Sequence, residues 1–163
     1  MPATAHSYPC TVRDTVTGVG LFATRDIARG ECILEIHGTI QRSPTRYSIQ
    51  IGADEHIECQ ESLPDAEMRV RFPWRFLNHC CEPNCSIAGR TLVARGAIRS
   101  GDQLTFDYTT TEAMMAEPFE CKCGAPGCLR RVQGFLALAH DEQRARALLV
   151  APHLKPFLPK PSA

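Results

Sequence analysis

The stretch RFLNHCCEPNC, residues 75–85, packs Asn78, His79 and three cysteines into eleven positions. Downstream, CKCGAPGC at residues 121–128 sets Cys121, Cys123 and Cys128 in a C-x-C-x4-C spacing. Adjacent Cys80 and Cys81 can hardly bond each other, because disulfide geometry is narrow. Three thiolates in C-x-C-x4-C can instead wrap one ion, with Gly124 and Gly127 loosening the backbone between them. A structural zinc takes four tetrahedral ligands. No cysteine follows Cys128, so a fourth must come from Cys80, Cys81 or Cys85. A clip between two distant segments restricts the folds open to the chain.

Whether nine cysteines mean metal or disulfides depends on redox compartment. The first twenty residues contain no apolar run suited to a signal peptide, and no stretch approaches the ~20 apolar residues that span a membrane. The expectation is a reducing, intracellular setting: cytoplasm, nucleus, or a host cell for an exported bacterial protein. There clustered cysteines more often bind metal. Formal net charge is zero, which argues against strong direct nucleic-acid binding. At 163 residues, 44% of them hydrophobic, the chain can build one domain with a real core.

The pattern along that domain is mostly short strands. GVGLFA, CILEIHGTI, YSIQIG, HIEC, TLVARGAI and QLTFDY are β-like runs separated by turns such as ARGE and RSGD. Residues 54–67 carry six carboxylates and no lysine or arginine. They read as a solvated loop or, more sharply, as a surface favouring a basic partner. Near the C-terminus one helix is expected, capped by Asp141, with Ala145, Leu148 and Leu149 at helical spacing. Prolines 152, 156, 159 and 161 end regular structure.

Taken in order, GVGLFA (18–23), YSIQIG (47–52), RFLNHCCEPN (75–84), LTFDY (104–108) and CKCGAPGCLRRVQGF (121–135) resemble the SET-domain protein lysine methyltransferases that carry a post-SET cysteine cluster. The likeness covers about residues 10–136. It implies a mainly β fold of several small sheets around a threaded C-terminal segment, with a short C-terminal helix. The implied layout is an N-terminal arm (1–9), a SET domain (10–115), a post-SET zinc segment (116–136), and a C-terminal helix with a proline-rich tail (137–163). Cys81 is then the fourth zinc ligand beside Cys121, Cys123 and Cys128, in a structural site without an open position. Cys80 stands where the family usually has serine, and Cys85 is a small packed residue. The segment between HIEC and RFLNH is long for the family, and no cysteine-rich module precedes the domain.

The resemblance also implies the chemistry: transfer of a methyl group from S-adenosylmethionine to the ε-amine of a protein lysine, possibly on a basic tail. The free amine has a pKa near ~10.4 and must shed its proton before attack, which a narrow, dry channel favours. Tyr108 is implied as the tyrosine of the reacting centre and Tyr47 as a channel tyrosine. Phe106, lacking a hydroxyl, favours di- or trimethylation. The cofactor is expected along Gly18, Val19 and Gly20 and at Asn78 and His79, with His79 acting largely through its backbone. Arg75 and Asp107 are read as structural. The competing reading is a non-catalytic, zinc-stabilised domain of the same fold that holds a peptide.

Overall fold

A computed structural model describes residues 8–59 and 62–160. Its elements in chain order are β1 (Cys10–Thr15), β2 (Gly18–Ala23), β3 (Cys32–Glu35), β4 (Thr39–Gln41), β5 (Ile49–Gly52), β6 (Glu55–Glu58), α1 (Asp65–Arg71), β7 (Asn78–His79), β8 (Cys85–Ala88), β9 (Thr91–Ala94), β10 (Gln103–Phe106), β11 (Phe119–Glu120), β12 (Arg131–Val132) and α2 (His140–Ala145). The expected mainly β fold of small sheets is what forms. The strands make a four-stranded sheet in the order β1-β2-β10-β7, two three-stranded sheets (β3-β9-β8 and β4-β6-β5) and the ribbon β11-β12.

Apolar alternation explains where these sheets meet. Leu21, Ile33, Ile36, Ile57, Leu92 and Leu104 are almost wholly buried in one core with Trp74. Each such side chain contributes about 1.5–3 kcal/mol relative to exposure. Trp74 keeps its indole N–H satisfied by donating to His37 O at 3.0 Å. A smaller core of Phe135, Val150 and Leu154 joins the C-terminal part to the domain.

The pairing that positions the site is β10 between β2 and β7. Leu104 opposes Leu21 in antiparallel register, while Thr105 and Phe106 run parallel to Asn78 and His79. Asn84 extends the bonding along β10, donating to Gln103 O and accepting from Thr105 N–H. The N-H and F-D-Y motifs are thereby set side by side.

Three local expectations change. The acidic stretch is not one free surface. Glu58 is buried, pairing with Arg75 and accepting from Cys59 N–H, while Asp65 and Glu67 sit on α1 and pair with Arg69 and Arg71. Glu61 lies outside the described residues. The C-terminal helix exists, but Ala139 rather than Asp141 is at its N-cap and no side chain caps it. Leu148 is fully exposed, and the inward residues are Gln143, bonded to Phe135 O, and Arg146, bonded to Asp107. Six residues are too few to form a stable helix alone, and polar anchors rather than an apolar stripe dock this one. The expected arm lies largely outside the described residues. Its last two residues already engage the domain: Tyr8 packs on the core and Pro9 O accepts from Thr24 N–H.

No helix among the described residues is long and apolar enough to cross a membrane.

Candidate active site and metal centre

F-D-Y works as a unit because each residue faces a different way. Phe106 ends β10 and is buried. Asp107 caps the 3-10 turn at Tyr108–Thr110, accepting from Thr109 N–H, and its second oxygen takes Arg146 Nε at 2.7 Å. Asp107 is therefore structural, as expected. The turn swings Tyr108 inward, where its hydroxyl donates to Leu77 O at 2.5 Å. Burial, aided by the charge of Glu112, raises the Tyr108 phenol pKa. The hydroxyl stays protonated at neutral pH and acts as a hydrogen-bonding group.

Two spaces meet at Tyr108. One is a narrow cavity of about 40 Å³ whose walls include Tyr47, Trp74, Phe106 and Glu112. The other is a broad groove of about 610 Å³ whose walls include Gly18, Val19, Asn78, His79 and Phe119. Arg46, Tyr47, Arg75, Leu77, Tyr108 and Met115 border both. Phe106 lies 4.8 Å from Tyr108, ring centre to ring centre. Tyr47 is about half exposed, just before β5, with the Arg75 guanidinium over its ring at 4.5 Å. Arg75 reaches both spaces as well as Glu58, so its place is wider than local structure alone.

The glycines divide. Gly18 borders the broad groove with φ +133°, open space where a side chain would be. Gly20 is not among the residues lining that groove. A Cβ on Gly20 would lie 2.2 Å from the Gln103 amide nitrogen and 3.2 Å from that of Asn78, so its smallness serves packing under the site. Asn78 donates to Val19 O at 2.8 Å, holding the β2 edge of the groove in place.

His79 links the groove to the cysteines. Its Nδ1 accepts from Tyr108 N–H at 3.1 Å, which leaves the ring proton on Nε2, 3.2 Å from Cys81 Sγ. Burial lowers its pKa, so the ring is neutral. It packs edge-on against Tyr108 and Phe119.

The four cysteines expected to bind zinc converge. The sulfurs of Cys81, Cys121, Cys123 and Cys128 all lie within 4.8 Å of one another. Cys81 and Cys121 are 3.8 Å apart, the edge of a tetrahedron with Zn–S bonds of about 2.3 Å. Backbone N–H groups of Leu129 and Arg130 point at Cys81 and Cys128 sulfurs. Burial raises the Cys121 thiol to about 11. Burial also acts upward on Cys123, but hydrogen bonds from the backbone of Cys81 and Ala125 and from neighbouring thiols bring it down to about 6. Cys123 thus ionises readily, while burial holds the Cys81 and Cys121 thiols up. The donor set fits structural zinc. Cys80 is not among the four: its thiol donates to Glu82 O and also interacts with Cys123, while Cys85 is buried at the start of β8.

Sequence reasoning missed Phe119, Met115, Arg46 and Glu112 as walls of the site. Phe119 precedes the first cysteine of the cluster by two positions, which was a usable signal. Nothing in the pattern marked Glu112.

A profile described as SET domain matches residues 18–109. The chain belongs to the SET-domain family. Among curated relatives it is 34% identical over 140 residues to the histone-lysine N-methyltransferase trithorax of Drosophila melanogaster, covering 77% of this chain and 4% of that protein. It is 33% identical over 142 residues to the human histone-lysine N-methyltransferase, H3 lysine-36 specific, covering 77% of this chain and 5% of the relative. The chain thus spans a small part of these relatives. Among solved structures, KRYPTONITE in complex with mCHH DNA, an H3(1-15) peptide and SAH aligns with a TM-score of 0.56 at 23% identity, over 76% of this chain and 29% of that one. The methyltransferase domain of human SETMAR aligns at 0.57 and 20% identity, over 76% and 57%. These likenesses are in fold.

Proposed function

We propose that this chain transfers a methyl group from S-adenosylmethionine to the ε-amine of a protein lysine, and that it proceeds to di- or trimethyllysine. The observation that carries the reading is the meeting of a broad groove and a narrow cavity at Tyr108 and Leu77. Two molecules can approach one point from different sides, as transfer between them requires. The relatives' names make a histone tail the first substrate to try and the nucleus the first compartment.

S-adenosylmethionine, when bound, supplies an electrophilic methyl on a sulfonium. The residues of the chain supply placement, and orientation is a large part of such catalysis. Gly18 and Val19 give close backbone approach along the groove, Asn78 fixes that edge, and Phe119 with the His79 ring offers an apolar wall. Tyr47, Phe106 and Tyr108 enclose the lysine stem, and exclusion of water there disfavours the charged amine. The Tyr108 hydroxyl and Leu77 O present polar atoms to the reacting nitrogen. Phe106 presents only ring carbon, leaving room for a methylated amine to turn. Zinc on Cys81, Cys121, Cys123 and Cys128 would fasten the C-terminal segment beside the groove and take no part in the reaction.

The test is purified chain with histones or lysine peptides and labelled S-adenosylmethionine, read by mass spectrometry, alongside calorimetry with S-adenosylhomocysteine. Saturable binding weakened by Asn78→Ala, with mass gains of 14 Da steps on lysine (roughly one CH₂ each, the unit of methyl-for-hydrogen exchange), is the expected result. A folded, zinc-loaded chain that binds no S-adenosylhomocysteine would instead be a peptide-holding module.

A further inference from the structure

The sequence between Tyr108 and the cysteine cluster contains one carboxylate with an unusual setting. Glu112 is 7% exposed and lines the narrow cavity with Tyr47, Phe106 and Tyr108. Its Oε1 accepts from Gln50 N–H at 2.7 Å and from the Thr111 hydroxyl at 3.3 Å. Gln50 answers with its own side chain, accepting from Ala113 N–H. An amide at position 112 could accept the Gln50 bond equally well, so that bond does not require a charge. The other oxygen, Oε2, faces His56 Nδ1 at 3.9 Å, beyond hydrogen-bond reach. His56 is itself buried, and its Nδ1 has no hydrogen-bond partner. Glu112 thus lines the cavity where the lysine is proposed to enter, and among the described residues its carboxylate has no salt bridge to a lysine or arginine.

We infer that Glu112 is a catalytic residue, the proton acceptor for the substrate lysine. The inference rests on the methyltransferase reading above and deepens it. An incoming lysine carries an ammonium, and among the described residues that line the narrow cavity Glu112 is the one carboxylate, with no histidine or cysteine beside it. The Glu112 carboxylate takes one proton from the ammonium, giving a neutral amine and a neutral carboxyl. The amine then forms its N–C bond as the methyl–sulfur bond of S-adenosylmethionine breaks, the bonding pair returning to sulfur. The product is a methylammonium ion and a neutral thioether. Glu112 then returns its proton to solvent, and the methylammonium is deprotonated in the same way before a second transfer.

The electrostatics suit this role. Burial raises the Glu112 carboxyl to about 7, against smaller lowering by Gln50 N–H and the Thr111 hydroxyl. A base poised near the working pH is the effective kind. The groups facing it are accounted for. His56 on β6 has its pKa lowered by burial first and then by His153, with Asp54 acting weakly upward, so it stays neutral and does not pin the carboxylate as an ion. His153, from the C-terminal 3-10 turn, is engaged with Thr111 O at 2.7 Å. On the same segment Tyr108 feels the Glu112 charge, which places the two within electrostatic reach.

Glu112→Gln keeps the shape and the Gln50 bond but accepts no proton. With wild type shown active on a lysine peptide, the variant is expected to lose on the order of 10²-fold in kcat near neutral pH, with S-adenosylhomocysteine affinity unchanged. The deficit should close as pH rises and bulk hydroxide removes the proton. A loss under about twofold, or a deficit equal at every pH, overturns the inference while leaving the methyltransferase reading intact. A second arm needs no activity. Wild type should lose stability relative to Glu112→Gln as pH rises from about 5 to 8, because only wild type must bury a charge above the carboxyl's raised pKa. Parallel stability curves overturn the inference. Should the variant not fold, glutamate-labelled wild type decides by carbon-13 spectra: one carboxyl titrating near neutrality supports it, and none overturns it. No cofactor binding and no transfer by folded wild type overturns both readings together.

Discussion

Arg146→Met removes a guanidinium from a buried ion pair and leaves its partner behind. The Arg146 side chain is 9% exposed and that of Asp107 3%, and their contact is 2.7 Å. Breaking one side of such a pair costs about 3–5 kcal/mol, most of it the uncompensated buried charge. Methionine keeps much of the apolar stem, so packing loss adds little. Arg146 also bonds Glu142, but that carboxylate is nearly half exposed and its part is small. In a chain of this size each kcal/mol shifts Tm by about 2–4 °C. The assay is chemical unfolding at fixed zinc, which must stay bound for the comparison to hold. Asp107→Asn in the Arg146→Met background should recover much of the loss, because no charge is then stranded. The turn that carries Tyr108 is capped by the same aspartate, so methyl transfer should fall with stability in the single variant and return in the double. A loss below about 1 kcal/mol for Arg146→Met would refute the reasoning, since that is the scale of an exposed pair.

Metal analysis should find about one zinc per chain, and both Cys121→Ser and Cys81→Ser should lower it together with Tm; full retention in Cys81→Ser would mean the fourth ligand is elsewhere. Phe106→Tyr places a hydroxyl beside Tyr108 and should move the product towards monomethyllysine with appreciable activity kept; intact-mass time courses check this, and a wild type that stops at one methyl with peptide in excess contradicts it. Gly134→Ala should destabilise by on the order of 2–3 kcal/mol, because φ is +109° there and the new Cβ would lie 2.6 Å from Met114 Cα, both backbone conflicts. Unfolding curves within 0.5 kcal/mol of wild type, roughly the scale of a neutral surface change, would count against that placement.

Much of the site was legible because its chemistry is written in short, unusual motifs. Asn78-His79, Phe106-Asp107-Tyr108 and the three downstream cysteines are recognisable before any contact is known. Cys81 was singled out from Cys80 by family likeness, and the convergence of the sulfurs agrees with it. Gly20 illustrates a limit: a glycine that lines a groove and one that makes room beneath it look alike in sequence. Arg146 and Asp107 are 39 positions apart, and Glu112 meets Gln50 across 62. Such partners arise from how the chain folds back, which no local periodicity records. The helix cap was misplaced as well. Asp141 is a good capping residue in isolation, but the helix begins before it, and Asp141 sits inside the first turn where it pairs with Arg144.

The place of β10 between β2 and β7 has a consequence for how the chain is made. A ribosome delivers β2 and β7 long before the strand that must lie between them. Until residues 103–106 emerge, Leu21 lacks the Leu104 that opposes it and the N-H segment has no parallel neighbour. Pairings this far apart in sequence incur loop-closure entropy before they are rewarded, and folding dominated by them runs in milliseconds to seconds. The nascent chain therefore waits with apolar strand edges open, the condition under which chaperones are needed. The cysteines at 121–128 emerge later still. Cys81 lies before β10 in the chain and Cys121, Cys123 and Cys128 after it, so zinc held by the four sulfurs would close a loop that contains β10.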